Sequence, residues 1–255
     1  MRPDQGEPLD NSDLMAQLRV VLPTFNEVEN VEEIVRAIRA EGAAVLVVDD
    51  ASPDGTGDRA DLLAAEDPAV GVLHRARKDG LGAAYGAGFS RALEDGSPIV
   101  GQMDADFSHD PGMLPRLVAA VRHGADVAIG SRYVAGGSTA GWSWLRRMIS
   151  GSANRYVRMV LGVRTRDATA GFRVYRAEAL RRLDPASCRS AGYAFQVEMI
   201  YRAERLGLRI EELPIRFVER HSGDSKMTAA IAFEAMWLIT GWGLRRLWRR
   251  LRSAA

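Results

Sequence analysis

Short apolar segments alternate with longer amphipathic stretches over the first half of the chain, and this alternation constrains the fold more than any other feature. The apolar segments cover residues 19–22, 45–48, 70–73, 99–103 and 127–129. Helical periodicity marks the stretches between them, at residues 28–41, 56–66, 80–94 and 111–122. Continuous apolar strands that alternate with helices are typical of a parallel sheet covered on both faces. The pattern therefore predicts an α/β fold with a mostly parallel sheet and helices on both faces.

The polar residues of this half concentrate where the apolar segments end. The five segments lead into "PTFNE" (23–27), "DDASPDGT" (49–56), "HRARKDG" (74–80), "DADFSHD" (104–110) and "GSRY" (130–133). The carboxyl ends of parallel strands meet along one edge of the sheet, which is where α/β proteins bind their ligands. We therefore expect one site of nucleotide size along this edge.

Two carboxylates, Asp104 and Asp106, follow the fourth apolar segment one residue apart. On an extended backbone alternate side chains face the same way, so both carboxylates would point at one spot. Two anions that share a site repel each other unless a cation lies between them. Mg²⁺ or Mn²⁺ takes oxygen ligands from one or two carboxylates and the rest from a substrate diphosphate. Asp104 and Asp106 are therefore predicted metal ligands, and Ser108, next on the same face, would ligate directly or through water; the alternative is a capping pair in a solvated turn.

Two further segments of this edge carry different predictions. In "VVDDASPDGT" (47–56) the adjacent aspartates exceed what an Asp-Gly turn needs, and we expect Asp50 to bind a sugar hydroxyl or a base edge. The glycine-rich "KDGLGAAYGAG" (78–88) matches neither the dinucleotide fingerprint nor the P-loop. Its small residues predict close packing of a helix, with no chemistry beyond proximity to a phosphate.

Four basic residues are candidates for binding phosphate groups. Arg132 belongs to the strand end "GSRY", while Arg220 and Lys226 flank "HSGDS", a loop that could close over a phosphate. Arg146 lies in a predicted helix at residues 142–161. Guanidinium groups bind phosphate oxygens bidentately, which suits a diphosphate leaving group or a phosphate acceptor. Taken singly, each could equally be an ordinary solvated charge.

Composition and charge bear on the partners, the compartment and the domain organisation of the protein. The net charge of +1 gives no indication of a nucleic-acid partner. A lone cysteine, Cys188, excludes an internal disulfide and suits a reducing compartment. Residues 1–16 are polar and contain Pro and Gly, which predicts a disordered segment rather than a signal peptide. No Pro/Gly linker divides the rest, so residues 17–226 are expected to form one continuous domain.

The C-terminal segment, residues 227–255, predicts an amphipathic helix. Trp237, Leu244 and Trp248 recur at helical spacing, and five arginines lie between residues 245 and 252. A transmembrane helix needs about 20 apolar residues, and Glu234 would cost about 3 kcal/mol at the bilayer centre. We therefore expect a helix on the membrane surface, with tryptophans at headgroup depth and arginines on anionic lipid. The alternative is a helix packed on the core with a basic outer face.

Taken together in their order, these motifs resemble those of the dolichol- or polyprenol-phosphate mannose synthases, inverting family-two glycosyltransferases with the GT-A fold. The resemblance runs from about residue 19 to residue 226. It rests on "LPTFNEVENV", "VVDDASPDGTGD", "GLGAAYGAG", "MDADFSHDP", "GSRYVAGG", "DATAGFRVYR", "GYAFQVEMIYRA" and "ERHSGDSKM". It implies transfer of mannose from GDP-mannose to polyprenyl (dolichyl) monophosphate with inversion, using Mg²⁺ or Mn²⁺, by a peripheral protein on the cytoplasmic face of the cell membrane.

The resemblance also implies a role for individual residues of this chain. Contacts with the nucleoside fall on Pro23, Phe25, Glu27, Val48 and Asp50, and contacts with the metal and diphosphate on Asp104, Ala105 and Asp106. Phosphate contacts fall on Arg132, Arg220 and Lys226, and contacts with the acceptor phosphate on Arg146 and Ser150. Asp104, Asp106 and Arg132 would be the catalytic residues. Relatives of this type sometimes depend on a separate integral membrane protein, and the sequence leaves room for such a partner.

Two departures and three rival functions accompany the resemblance. Phe25 stands where the family usually has tyrosine, and Ala170 stands where it has serine, which puts any role of the segment "TAGFR" in doubt. A polyprenyl-phosphate glucosyltransferase using UDP-glucose would share nearly every motif. A nucleotidyltransferase would carry a glycine-rich basic loop where this chain has "PTFNE". A non-catalytic membrane scaffold would have no need of the two carboxylates.

Overall fold

Seven strands form one sheet in the computed structural model, which describes residues 14–188, 190, 192–219 and 229–254. Two further short strands lie outside this sheet. In chain order the strands of the described residues are β1 (Leu18–Thr24), β2 (Ala44–Asp49), β3 (Val70–His74), β4 (Ile99–Gln102), β5 (Val127–Ser131), β6 (Ser138–Ala140), β7 (Arg173–Arg176), β8 (Ile210–Pro214) and β9 (Arg216–Val218). Their order in the sheet is β3-β2-β1-β4-β7-β5-β8, and β6 pairs with β9 apart from it. Every pair in the large sheet is parallel except those of β7.

Helices cover both faces of this sheet, as the alternating pattern predicts. They are α1 (Val31–Ala40), α2 (Thr56–Glu66), α3 (Leu81–Glu94), α4 (Leu114–Arg122), α5 (Trp144–Leu161), α6 (Ala177–Leu183), α7 (Gly192–Arg205) and α8 (Ala229–Ala254). Buried side chains of α1, α2 and α4 form the core on one face, and those of α3, α6 and α7 form the core on the other. The predicted α/β architecture is confirmed.

The chain reverses its direction of sheet growth between β1 and β4. β2 and β3 extend the sheet on one side of β1, whereas β4 pairs with the opposite side. Such a switch point opens a crevice beyond the carboxyl ends of the two central strands, because their following connections diverge to opposite faces. The segments "PTFNE" and "DADFSHD" leave β1 and β4 at this crevice.

Strand β7 was not predicted from the sequence. It runs antiparallel between β4 and β5, so the neighbours of β4 are not those that simple alternation suggests. The strand has four residues and carries arginine at both ends, and Arg173 is 0% exposed. Hydrophobic periodicity did not indicate this strand because two of its four residues are arginines. The guanidinium of Arg173 can be buried because it donates hydrogen bonds to the carbonyls of Ala168 and Gln196.

The glycine-rich helix α3 packs as closely as its small residues predict. A β-carbon on Gly88 would lie 2.3 Å from a methyl carbon of Val21 and 2.8 Å from one of Val48. A β-carbon on Gly82 would lie 2.6 Å from the carbonyl oxygen of Ser190. All three distances are shorter than any ordinary contact, so the backbone of α3 approaches β1, β2 and the α7 region only because these positions lack side chains.

The N-terminal boundary of the folded domain differs from the predicted one. The predicted disordered segment covered residues 1–16, but Met15 is 2% exposed and belongs to the core, so the folded domain begins before residue 17. Residues 1–13 of that segment lie outside the described residues. Burial of the Met15 side chain explains the earlier start.

Helix α8 packs on the domain with one side and exposes apolar residues on another. Ile239 is buried, and the Trp242 ring stacks on Tyr201 at 6.3 Å. Trp237 is 81% exposed and Trp248 64% exposed. Within the described part of the chain, no helix combines the length and the apolar character that crossing a bilayer requires.

Candidate active site

Strained backbone marks the carboxyl ends of β1, β2 and β4. Asn26, Ala51 and Phe107 have φ angles of 56°, in the left-handed region that residues with side chains rarely adopt. Asn26 and Ala51 each lie two residues beyond the end of their strand, and Phe107 lies five residues beyond the end of β4. Strain of this kind persists only where surrounding structure holds the backbone, and such residues cluster at functional sites. The three strand ends therefore form the candidate site.

The two predicted metal ligands lie at the end of β4. Asp106 is 7% exposed, Asp104 is half-buried and Ala105 between them is buried. Ser108 turns back onto Asp106: its hydroxyl donates to Asp106 Oδ1 at 2.5 Å, and its amide donates to the same oxygen at 3.1 Å. Both hydrogen bonds hold the Asp106 carboxylate in place, so Ser108 positions Asp106 in this structure. Its role as a ligand stays a prediction.

The donor set suits a hard divalent cation shared with a substrate. The described residues contain no group of three or more His, Cys, Asp or Glu side chains arranged to hold a metal ion. Two carboxylates alone bind Mg²⁺ or Mn²⁺ when phosphate oxygens complete the coordination. The site fits a cation that enters with a diphosphate rather than one held in an all-protein cage.

The predicted nucleoside contacts lie around the ends of β1 and β2. Pro23 and Phe25 are half-buried, and the Lys78 ammonium lies 3.6 Å from the centre of the Phe25 ring. Glu27 is half-buried in the turn before α1. The Val48 side chain is 0% exposed within the core, so only its backbone can meet a ligand.

Asp50 is buried and paired. Its carboxylate lies 2.5 Å from Arg75 Nη1 and is 5% exposed as a residue. Burial raises the pKa of Asp50, and the Arg75 charge opposes that rise. Its neighbour Asp49 accepts from the amide of Ser52 at 3.1 Å, so Asp49 serves the turn. The prediction that Asp50, rather than Asp49, contacts the substrate stays open to test.

Arg132 is held by a carboxylate that sequence analysis did not single out. Asp167 accepts from Arg132 Nε at 2.8 Å, from Nη2 at 2.6 Å and from the Arg132 amide at 2.9 Å, and it is 0% exposed. The Arg132 Nη2 also donates to Thr169. Burial alone would lower the pKa of Arg132, but the bonds to Asp167 outweigh it and raise the pKa. The Nε and Nη2 atoms of Arg132 are thus engaged, so a phosphate bound by this side chain would accept from Nη1.

His109 lies beneath the site in an aromatic pocket. It is 3% exposed, stacks on Phe172 at 5.1 Å and meets Phe217 edge-on at 5.2 Å. Its Nδ1 is buried and has no hydrogen-bond partner among the described residues. Burial lowers the pKa of His109 to about 4, so the ring is neutral near pH 7. A neutral, enclosed imidazole cannot serve as the cation that binds a phosphate.

The predicted acceptor contacts lie at the start of α5, near the Arg132 strand end. Ser150 accepts a hydrogen bond from the Tyr133 hydroxyl at 2.7 Å, which joins α5 to "GSRY". Arg146 Nη1 lies 2.5 Å from Glu219, and its guanidinium lies 4.4 Å from the Trp142 ring centre. Arg220 and Lys226 lie outside the described residues.

Three residues at or beside the site were missed by sequence analysis. They are Tyr85, His109 and Asp167. Asp167 precedes the "TAGFR" segment, whose role the sequence left in doubt, and a search for a carboxylate to balance Arg132 could have identified it. Tyr85 lies in the glycine-rich helix and donates to Asp104 at 2.7 Å. Burial, followed by the charge of Asp104, raises the pKa of Tyr85 well above its ordinary value, so the phenol keeps its proton.

The sequence matches glycosyl transferase family 2 over residues 19–184, more than half of the chain. It is 52% identical over 235 residues to an undecaprenyl-phosphate mannosyltransferase of Micrococcus luteus, covering 91% of this chain and 96% of that protein. It is 48% identical over 237 residues to a polyprenol monophosphomannose synthase of Mycolicibacterium smegmatis, covering 92% of this chain and 89% of that protein. These identities confirm the resemblance carried by the motifs.

Two solved structures share the fold. One is glucosyl-3-phosphoglycerate synthase of Mycobacterium tuberculosis with Mn²⁺, UDP-glucose and phosphoglyceric acid, with a TM-score of 0.70, 19% identity, and coverage of 95% of this chain and 85% of that chain. The other is a mannosyltransferase of Pyrobaculum calidifontis with GDP-mannose and Mn²⁺, with a TM-score of 0.56, 18% identity, and coverage of 82% and 58%. Fold, motifs and sequence agree: the chain belongs to glycosyl transferase family 2 and has its GT-A architecture.

Proposed function

We propose that this protein transfers mannose from GDP-mannose to a polyprenyl monophosphate, with inversion at the anomeric carbon. One observation carries the proposal: two carboxylates leave β4 at the switch point of the sheet, beside the strained ends of β1 and β2. The names of the two curated relatives support mannose as the sugar and a polyprenyl phosphate as the acceptor. Transfer of glucose from UDP-glucose is the rival outcome of the same assay.

The nucleoside would lie across the ends of β1 and β2. Pro23, Phe25 and Glu27 would meet it from one strand, and Asp50 and the Val48 backbone from the other. The Lys78 ammonium above Phe25 supports this placement, because a cation at this edge favours a phosphate-bearing ligand.

Asp104 and Asp106 would hold Mg²⁺ or Mn²⁺ together with the diphosphate, with Ala105 lying between them and Ser108 supporting Asp106. The cation, when bound, supplies charge stabilisation for the departing GDP. Metal ions present in both solved neighbours support a divalent cofactor for this fold. Arg132, Arg220 and Lys226 would add positive charge around the phosphates and would lessen the repulsion between two anionic substrates.

The acceptor phosphate would lie near Arg146 and Ser150 on α5. An apolar surface adjoins these polar groups, since four large side chains of the same helical segment are exposed. They are Trp144 (72%), Leu145 (48%), Met148 (54%) and Ile149 (56%). A phosphate site bordered by apolar surface suits a lipid phosphate. The acceptor oxygen is already an anion near neutral pH, so it can attack the anomeric carbon in line without a strong general base.

The protein would work at the cytoplasmic face of the cell membrane, bound peripherally through α8. The exposed Trp237 and Trp248, together with the neighbouring arginines, support contact with anionic headgroups. A separate integral membrane protein could strengthen that contact, and the α8 surface would be the place for it to dock.

The proposal is tested by measuring sugar transfer to undecaprenyl phosphate in vesicles from radiolabelled GDP-mannose and UDP-glucose, with and without EDTA. We expect transfer from GDP-mannose only, loss of transfer with EDTA, and a β-linked product. Asp106→Asn should abolish transfer. Asp110→Asn is the matched control, because Asp110 belongs to the same loop but is exposed and only caps the Gly112 amide at 2.9 Å. Near-normal turnover of the protein in EDTA, or of the Asp106 variant, would contradict the proposal.

A further inference from the structure

Helix α3 places one phenol directly against the candidate metal site. Tyr85 is 0% exposed, and its ring stacks with Phe89 at 5.5 Å and with Phe195 at 6.1 Å. Its hydroxyl donates to Asp104 Oδ1 at 2.7 Å. A fully buried ring in contact with two other rings has little freedom to move, so the direction of this hydrogen bond is set by the packing of α3 and α7.

The second oxygen of the same carboxylate faces a glycine. A β-carbon on Gly171 would lie 2.9 Å from Asp104 Oδ2 and 3.5 Å from the carboxyl carbon. Any side chain at this position would therefore require Asp104 to shift. Gly171 belongs to the "TAGFR" segment, for which sequence analysis found no role. The close approach gives that segment a physical reason to carry glycine here.

We propose that Tyr85 and Gly171 are positioning residues that hold the Asp104 carboxylate in the orientation needed to receive a divalent cation with its nucleoside diphosphate. This inference rests on the proposed function of the site. Tyr85 fixes one oxygen by donation and Gly171 leaves room for the other. Removing a partner that orients a metal ligand typically lowers metal affinity or activity by about 10- to 100-fold.

A second buried tyrosine, Tyr175, offers a control that distinguishes this positioning role from ordinary packing. Tyr175 is 1% exposed, and its ring also contacts Phe89, at 5.6 Å. Its hydroxyl donates to the neutral side chain of Gln102 at 2.9 Å instead of to a carboxylate. Tyr175→Phe therefore removes the same chemical group from the same core while leaving Asp104 untouched.

The experiment measures Mn²⁺ binding in the presence of GDP by electron paramagnetic resonance, alongside mannosyl transfer from GDP-mannose. We expect Tyr85→Phe to weaken Mn²⁺ binding about 10- to 100-fold, Gly171→Ala to weaken it at least as much, and Tyr175→Phe to bind as the unaltered protein does. The KM for polyprenyl phosphate should stay unchanged in Tyr85→Phe, because the acceptor does not meet Asp104.

Two results would overturn the inference while the proposed function stands. One is unchanged Mn²⁺ binding by both Tyr85→Phe and Gly171→Ala in protein that transfers mannose normally. The other is equal weakening by Tyr85→Phe and Tyr175→Phe, which would make the effect one of packing. If the unaltered protein neither binds Mn²⁺ with GDP nor transfers mannose, the proposed function fails and this inference fails with it.

Discussion

The buried ion pair between Arg132 and Asp167 yields the sharpest stability prediction. The perturbation is Asp167→Ala, which removes an acceptor of three hydrogen bonds from Arg132, at 2.9, 2.8 and 2.6 Å. The side chains of the pair are 7% and 0% exposed. After the change the guanidinium stays buried without its counter-ion, since no other carboxylate bonds to it among the described residues.

The magnitude follows from that burial. Breaking a buried pair by removing one partner costs about 3–5 kcal/mol, because an uncompensated charge is left in a medium of low polarity. Domains of this kind are stable by only about 5–15 kcal/mol, so the change should remove a large part of the stability. Glu66→Ala is the matched control: the Arg36–Glu66 pair has a similar distance, 3.0 Å, but its side chains are 58% and 60% exposed. We expect this control to unfold as the unaltered protein does.

The assay is urea unfolding followed by tryptophan fluorescence. A loss of stability in Asp167→Ala should lower the midpoint without changing the dependence on urea, since the folded surface is the same. A double-mutant cycle with Arg132→Met completes the test. Removing both partners leaves neither charge unpaired, so the double variant should lose less than the two single losses added together.

Either of two results would contradict a stabilising ion pair between Arg132 and Asp167. One is an unfolding midpoint of Asp167→Ala equal to that of Glu66→Ala, which would mean that Arg132 gains nothing from its buried partner. Strict additivity in the cycle would mean that the two side chains do not stabilise each other, whatever their distance.

Three further expectations follow from the structure. Burial lowers the pKa of His109 to about 4, so as the pH falls the unfolded chain takes up this proton at a higher pH than the folded protein does. The free energy of unfolding should therefore decrease by about 3 kcal/mol between pH 6.5 and pH 4. Urea titrations of a His109→Phe variant should lack this part of the decrease. Gly88→Ala should destabilise by about 1–3 kcal/mol through overpacking against β1 and β2, whereas Gly86→Ala in the same helix, with its nearest contact at 3.6 Å, should leave the melting temperature equal or higher. Trp237→Ser should weaken sedimentation with anionic vesicles, and Leu62→Ser, which removes an apolar side chain that is 56% exposed on α2, should not; equal loss in both variants would contradict a role for α8.

Hydrophobic pattern was sufficient to predict most of the large sheet and its helices. The segments at 19–22, 45–48, 70–73 and 127–129 all lie within strands. Three of these strands, β1, β2 and β5, lie inside the sheet and are buried on both faces, so they must be apolar throughout. The same local information located the site. The carboxyl ends of parallel strands lie along one edge of the sheet, so the polar residues that follow these strands come together there. Asp104 and Asp106 could be singled out in this way without any knowledge of their neighbours.

Contacts between distant segments were decided only by the tertiary structure. Asp167 lies 35 residues from Arg132, and Tyr85 lies 19 residues from Asp104, so no local period connects either pair. The position of β7 between β4 and β5 depends likewise on burial of Arg173, whose charge argues against a strand when the sequence is considered alone. Periodicity reports which side of an element is buried, whereas pairing depends on which elements the folded chain brings together. The sequence by itself therefore determined that carboxylates stand at the end of β4, and the tertiary structure decided what holds them there.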